Sequence, residues 1–409
     1  IIIIKKKWPD IPVIMITKNE EEWLMEEAIG SQISNYLTKP VNPSQVLMAC
    51  KNILEVREIQ DTKLINDFIE YFKRISTDNF NNNINEWYEK YNTLCDWSIN
   101  LSSVKDKNII NMLYEQKKTI NLKFNEFILD NYKEWIDKSE VETITTPILS
   151  NKVFDTTLKP ILNKKKKLIF IIVDCLRLDQ WKMISELLYP NYNIKENFHL
   201  SIMPTATPFA RNAIFSGLLP NDLKKEYPDL WKKMFYENQL NGFEDTLFKN
   251  LLEKNGFTHL SNKYLKISDL NQGNRFINKI NDYKNINILS LVVNFVDILG
   301  HSRSESKVLS ELIPNETAYR TAILNWFNNS WLLEALSIMK DWDDVDIIIT
   351  SDHGNTQINK PVTVKGDQST SMGIRYKYGR NLRIDSKHVF KISNPEDYNL
   401  PMFDVNTEY

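Results

Sequence analysis

No apolar run in this chain approaches the roughly 20 residues needed to cross a bilayer, so the sequence offers no membrane span. Cysteine is scarce: Cys50, Cys95 and Cys175 lie far apart and share no metal-type spacing. An odd count without a secretory signal fits reduced thiols in a cytoplasm and argues against a disulfide frame. Ile1 to Ile4 are too few for a signal-peptide core, and Lys5 to Lys7 follow them instead of preceding them. An excess of one charge is also missing. With 51 Lys+Arg against 53 Asp+Glu, the formal charge of -2 gives no global pull towards nucleic acid or anionic membrane. Histidine is rare, 5 in 409 residues, so histidines that cluster with acids carry weight. The chain opens without Met in the middle of an apolar run and reads as a fragment. What is present is ordinary for soluble protein, 42% apolar and 25% charged. The length predicts two or three domains.

The first stretch alternates strand and helix signals. Pro12 to Thr17 is a β-branched apolar run that reads as a buried parallel strand, and residues 19–29 open with Asn19 and acidic residues in helical spacing closed by Gly30. Ile33 to Leu37 is a second short strand, and the Pro40–Pro43 turn leads into a helix through Val46, Leu47, Cys50 and Leu54. This alternation implies a parallel sheet. From 56 to 148 strand runs disappear, and Leu64, Phe68, Phe72, Trp87, Tyr91, Leu94, Leu113, Ile120, Phe124, Phe127 and Ile128 sit at helical core spacing. Breaks near Thr77–Asn83 and Ser102–Asn108 predict about three helices, a packing bundle without chemistry of its own. After Pro147, three strand signals end on or near carboxylates: Leu168 to Asp174, Ile288 to Asp297 and Val345 to Asp352, with a long helical pattern over 320–340. Open parallel sheets place their sites at such strand ends.

Two of the three strand-end acids are coupled to histidine, in Asp297-Ile-Leu-Gly-His301 and Asp352-His353. A fourth segment, Met203-Pro-Thr205-Ala-Thr207 through Arg211 to Gly217, has a hydroxyl-rich turn leading into a helix. Converging carboxylates repel unless cations neutralise them.

The ordered set Val-Asp, Pro-Thr-x-Thr, Asp-x-x-Gly-His and Ser-Asp-His-Gly resembles the PglZ branch of the alkaline phosphatase superfamily over residues 151–409. Met15 to Thr17 and Tyr36-Leu-Thr-Lys39-Pro40 resemble the Thr and Lys motifs of a CheY-like receiver, with Thr17, Tyr36 and Lys39 as its switch residues. The order is similar to that of the PorX-like response regulators linked to type IX secretion. The resemblance implies an α/β chain in three parts: the C-terminal half of a flavodoxin-like receiver over 1–55, a helical bundle linker over 56–148, and a truncated three-layer α/β/α domain over 149–409.

The resemblance also implies roles. Asp174, Asp352 and His353, with Thr207, would hold one Zn²⁺. Thr207 would be the nucleophile, chosen over Thr205 because related phosphodiesterases place it ten residues before a glycine matching Gly217. Metal coordination makes an otherwise poor hydroxyl nucleophile competent at neutral pH. Asp297 and His301 would bind a second Zn²⁺, with Mn²⁺ as the alternative ion. Arg177 and Arg211 are candidate clamps for phosphoryl oxygens, or structural ion pairs. A third ligand for the second zinc is expected outside the chain, with His388 a weaker substitute, and His199 and His259 are read as structural. The phospho-accepting Asp and its Mg²⁺ ligands are likewise expected outside it.

The leading function is therefore a cytoplasmic two-component response regulator with a zinc-dependent phosphodiesterase or phosphatase output, acting on nucleotides or oligonucleotides. Its expected partners are a sensor histidine kinase, a transcription factor and a second copy in a homodimer, with no membrane. The alternative is a non-catalytic signalling regulator whose metal domain binds a partner. No Cys/Ser-x-Pro-x-Arg motif supports a sulfatase. Without a helix-turn-helix or a basic surplus, duplex DNA binding is not expected. Lys224, Lys225, Lys232 and Lys233 are read as a solvated helix face.

Overall fold

The computed structural model describes residues 2–8, 11–18, 30, 33–77, 83–137, 146–358, 361–384 and 389–409. They belong to two compact units, Ile1–Phe80 with Asn100–Thr119, and Asn81–Ile99 with Ile120–Tyr409.

In the first unit, β1 (Ile14–Thr17) and β2 (Asn35–Thr38) pair in parallel, from Ile14 opposite Asn35 to Thr17 opposite Thr38. The helix expected over 19–29 lies outside the described residues. After β2 the Lys39 amide donates to Thr17 O at 2.7 Å, and Lys39–Pro40 is a cis peptide. The next helix, Pro43–Leu54, starts where its chemistry allows. Asn42 caps it by accepting from the Ser44 amide, and Gln45 reaches back to the Asn42 amide. Proline occupies the first helical position, where no amide is needed. The helix Val56–Ser76 follows and buries Phe68 and Tyr71.

The stretch read as helical forms the helices Val56–Ser76, Ile84–Asn100 and Lys107–Asp137. Within the second unit, Trp87 packs on Phe124 and Phe127 with ring centroids 5.3 and 5.5 Å away. Here the aromatic stripe is core.

The second unit is built on a four-stranded parallel sheet of order β4 (Asn262–Ile267), β5 (Ile288–Val293), β3 (Lys167–Val173) and β6 (Val345–Thr350). β3 and β5 are buried on both faces, which is why they read as unbroken apolar runs. Ile169, Ile171 and Val173 face a core shared with Ile184, Tyr319, Ile323, Leu332 and Leu336, from the helices Leu178–Ser185, Glu316–Asn328 and Trp331–Met339. On the alternate face, Phe170 meets Phe215 and Phe248 from the helices Thr207–Ser216 and Glu244–Lys254. Two helical layers thus enclose the sheet, a three-layer α/β/α arrangement. The helical pattern of 320–340 resolves into two helices because Asn329 ends the first and the Ser330 side chain caps the second. β4 escaped the sequence reading: with Asn262 and Lys263 exposed it is a half-wet edge strand without an apolar run.

Candidate metal centre

The site forms at the C-terminal ends of β3 and β6. Asp174 follows the last residue of β3, its amide held by Val293 O at 2.9 Å. Cys175 then takes a left-handed conformation, φ 64°, costly for a residue with a side chain. Its amide donates to Asp352 Oδ1 at 3.2 Å, so the turn ties two strand ends together. The His353 amide donates to the same oxygen at 3.0 Å. Thr207 is the first residue of the helix Thr207–Ser216, which ends at Gly217 with φ 69°, a conformation suited to glycine.

These elements bring Asp174, Thr207, Asp352 and His353 together. Thr207 Oγ1 lies 2.9 Å from His353 Nε2 and donates to Asp174 Oδ1 at 3.4 Å. His353 Nε2 is 3.6 Å from Asp174 Oδ1 and 3.9 Å from Asp352 Oδ2. With its proton on Nδ1, 3.0 Å from Gly354 O, His353 presents an Nε2 lone pair to the site. Asp297 joins this cluster: Asp174, Asp297 and His353 offer donor atoms all within 4.8 Å of one another.

Asp297 does not end a strand, as the sequence suggested. β5 stops at Val293 and the helix Phe295–Glu305 begins at once, so Asp297 lies in its first turn. His301, one turn on, places Nε2 3.6 Å from Asp297 Oδ1, with its side chain 59% exposed.

The cluster is short of positive charge. Arg211 is buried and donates from Nε to Glu244 Oε1 and from Nη1 to Asp174 Oδ2, both at 2.6 Å, with Asp352 Oδ2 3.7 Å away. Glu244 also accepts from the Tyr264 hydroxyl and lies 3.7 Å from Lys266 Nζ. Burial works against the Arg211 charge, but Glu244, Asp352 and Asp174 outweigh it and hold its pKa above the usual value. Burial and the neighbouring Asp352 carboxylate raise Asp174 to about 6, even with Arg211 alongside. Burial raises Asp352, and burial with Asp174 raises Asp297. Burial and Arg375 lower His353. Asp352 is 0% exposed, yet its Oδ2 has no hydrogen-bond partner. A buried acceptor without a donor is rare and costly. Raised carboxylates, a neutral imidazole and an orphaned oxygen are the donor set a divalent cation satisfies.

Arg177 is engaged elsewhere. It makes two 2.9 Å bonds to Asp179 and further ones to Glu316 and Asn355. Sequence reasoning missed Glu244, which fixes Arg211, and Arg375, whose Nη1 lies 3.1 Å from His353 Nδ1. Neither carries a motif. His388 lies outside the described residues. Among the lysines beyond Thr207, Lys224 donates to Met402 O at 2.5 Å. In the first unit, Thr17 and Lys39 meet through the backbone at the ends of β1 and β2, while Tyr36 pairs in register with Met15.

This fold and cluster define an alkaline phosphatase-like domain. Residues 153–408 match the family described as the BREX system PglZ alkaline phosphatase-like domain, and residues 58–136 match the PorX response regulator linker domain. The first match covers more than half of the chain, which therefore belongs to the PglZ alkaline phosphatase-like family. With the linker it is a PorX-type response regulator, a class that works with a kinase. No curated protein matches the chain. No helix among the described residues is long and apolar enough to cross a membrane.

Proposed function

We propose that the PglZ domain of this chain is a zinc-dependent phosphodiesterase or phosphatase that uses Thr207 as nucleophile. One arrangement carries this reading: the Thr207 hydroxyl stands 2.9 Å from His353 Nε2, at the rim of a buried acid cluster whose Asp352 Oδ2 is unsatisfied. A purely structural metal site needs no hydroxyl there. Asp174, Asp352, His353 and Thr207 would hold one ion, and Asp297 with His301 would contribute to a second. A divalent cation in such a place lowers the pKa of a hydroxyl and absorbs negative charge on phosphorus oxygens. Thr207 Oγ1 gives up its proton to water and attacks phosphorus, and the ester oxygen leaves on the opposite side, taking a proton from water. Water then cleaves the phosphothreonine and restores the hydroxyl. Asp174 Oδ1 accepts from Thr207 Oγ1 and so orients the nucleophile. Arg211, pinned by Glu244, keeps Asp174 Oδ2 occupied, leaving Oδ1 to face Thr207 and His353.

Nucleotides or oligonucleotides are the proposed substrates, on the strength of the PorX-type architecture. Residues 1–55 are proposed as part of a receiver that governs activity or assembly, including dimerisation, in type IX secretion. Its phosphorylation by a sensor histidine kinase, with Mg²⁺, would act through Thr17, Tyr36 and Lys39. The open setting of His301, with Asp297 its partner at 3.6 Å, favours a second reading: a metal-binding regulator that docks a partner such as a transcription factor without turnover.

The test compares the full-length protein with Thr207→Val, with and without added Zn²⁺, on bis-p-nitrophenyl phosphate and a short oligonucleotide. Zn²⁺-dependent turnover in the wild type, lost in the variant with metal content unchanged, is the expected outcome. Full metal occupancy without turnover on either substrate would replace the enzyme with the regulator.

A further inference from the structure

Three arginines border the site, and they differ in what neutralises them. Arg211 is ion-paired to Asp174 and Glu244, and Arg177 to Asp179 and Glu316. Arg375 meets only neutral groups among the described residues. Its Nη1 donates to Thr205 O and lies 3.1 Å from His353 Nδ1, and its Nη2 donates to Gly354 O at 2.7 Å. These partners belong to the two walls of the site, the turn just before Thr207 and the His353–Gly354 corner. Two of its five guanidinium N–H donors are engaged on these carbonyls, and the second Nη1–H lies against the His353 ring. The Nε–H and one Nη2–H are left over, on a side chain that is itself exposed.

The position is built. Gly373 sits in a turn so tight that an added Cβ would meet Tyr376 O at 2.6 Å. The Tyr376 ring packs edge-on to Phe209, centroids 5.3 Å apart, which anchors the turn to the first turn of the Thr207–Ser216 helix. The flanking Met372 and Ile374 are 90% and 92% exposed, so the turn points Arg375 inward and its neighbours outward.

We infer that Arg375 binds the non-bridging oxygens of the phosphoryl group that Thr207 attacks. A guanidinium with no carboxylate partner among the described residues, beside Thr207, lacks the anion that would balance it, and a phosphate supplies that anion. Its spare N–H groups suit two phosphate oxygens at once, as a lysine ammonium would not. This inference rests on the phosphoryl-transfer reading for the identity of the anion. It moves the clamp from Arg177 and Arg211 to a residue on the 361–384 segment.

The test measures inorganic phosphate binding to the full chain by calorimetry at saturating Zn²⁺, with bound metal counted in parallel. The proteins are wild type, Arg375→Ala, Arg375→Lys and Arg380→Ala, a control whose exposed guanidinium pairs with Asp367 and Asp404. Removing a charge-assisted contact predicts phosphate affinity about 10- to 100-fold weaker for Arg375→Ala at unchanged metal content. Arg375→Lys should recover part of the loss, and Arg380→Ala should match wild type. Three results would overturn the assignment: no phosphate binding by wild type, equal binding by wild type and Arg375→Ala, or metal lost in step with phosphate. If Arg375→Ala fails to fold, the same criteria apply to Arg375→Lys, which must then bind phosphate measurably more weakly than wild type. Arg375-dependent phosphate binding without hydrolysis of bis-p-nitrophenyl phosphate leaves the anion site standing and removes the enzyme reading alone.

Discussion

Replacing Arg211 with Met puts the charge balance of the site to the test. The side chain is buried between Asp174, Glu244 and Asp352, at 2.6, 2.6 and 3.7 Å. At an effective dielectric of about 20, a pair of unit charges 2.6 Å apart interacts by roughly 6 kcal/mol. The cost of burying the guanidinium offsets most of that attraction. Breaking a buried pair by removing one partner still costs about 3–5 kcal/mol, because the other charge is left uncompensated. Methionine fills a similar volume, so little of the expected loss comes from a cavity. Protonation should relieve it. Asp174 already titrates near 6 with Arg211 present, and it must titrate higher without it. A carboxylate whose folded pKa is raised favours the folded state when protonated, and that advantage fades as pH climbs from about 3.8 through the folded value. The variant should therefore lose about 3–5 kcal/mol at pH 8 and clearly less at pH 5. Urea unfolding of the full chain with chelator, followed by tryptophan fluorescence, measures both. Adding Glu244→Gln should return part of the loss, since it removes one stranded charge. A deficit under about 1 kcal/mol at pH 8, or a larger one at pH 5, would refute the reasoning.

Zn²⁺ affinity, measured by competition with a chelator, should fall about tenfold per pH unit below 6, because Asp174 must lose its proton to ligate; a flat profile from pH 7 to 5 would show that no proton leaves Asp174 on binding in that range. Gly273→Ala drives a Cβ to within 2.1 Å of Trp331 Cδ1, where the Leu270–Asn278 and Trp331–Met339 helices touch. Overpacking of this kind costs about 1–3 kcal/mol, and an unchanged melting temperature would show that the two helices are less closely packed.

β3 and β5 were legible because strands covered on both faces must be apolar throughout, and β6 because Ile347 to Ile349 keep the same signature. β4 was not, since an edge strand can carry Lys263 and Lys266. Asp174, Asp352 and His353 were visible as polar residues abutting such runs. Asp297 was visible as an acid but was placed on the wrong element. The four-residue step to His301 was the signal, because residues four apart share a face in a helix but not across a strand end. Arg375 and Glu244 were hidden for another reason. Their partners His353 and Arg211 lie 22 and 33 residues away, and no local pattern records a pairing made only when the sheet closes. The start of the Pro43–Leu54 helix, in contrast, was legible from the Pro40–Pro43 turn, and its capping box, Asn42 with Gln45, is local as well.

Two buried charge clusters lie side by side in this domain, and their balance separates scaffold from site. In one, Arg177, Arg303 and Arg320 surround Asp179 and Glu316, so that each acid meets two guanidiniums. No acid in that network is left without a partner, and it ties the Leu178–Ser185, Phe295–Glu305 and Glu316–Asn328 helices together. In the other, Asp174, Asp297, Asp352 and Glu244 share Arg211 and the more distant Lys266. Four carboxylates against these two cations leave the cluster with more acids than partners, a setting that favours a divalent cation. Burial raises Asp174, Asp297 and Asp352, with a neighbouring carboxylate adding to it at the first two, and Asp352 Oδ2 is left unpartnered. A fold selected for stability alone would replace such a cluster with apolar side chains, often at no cost. The left-handed Cys175 adds strain at the same corner to direct its amide to Asp352 Oδ1, leaving the other oxygen turned towards His353 and Arg211. Strain and surplus charge at the same strand ends are what a cation site requires and a structural ion pair does not.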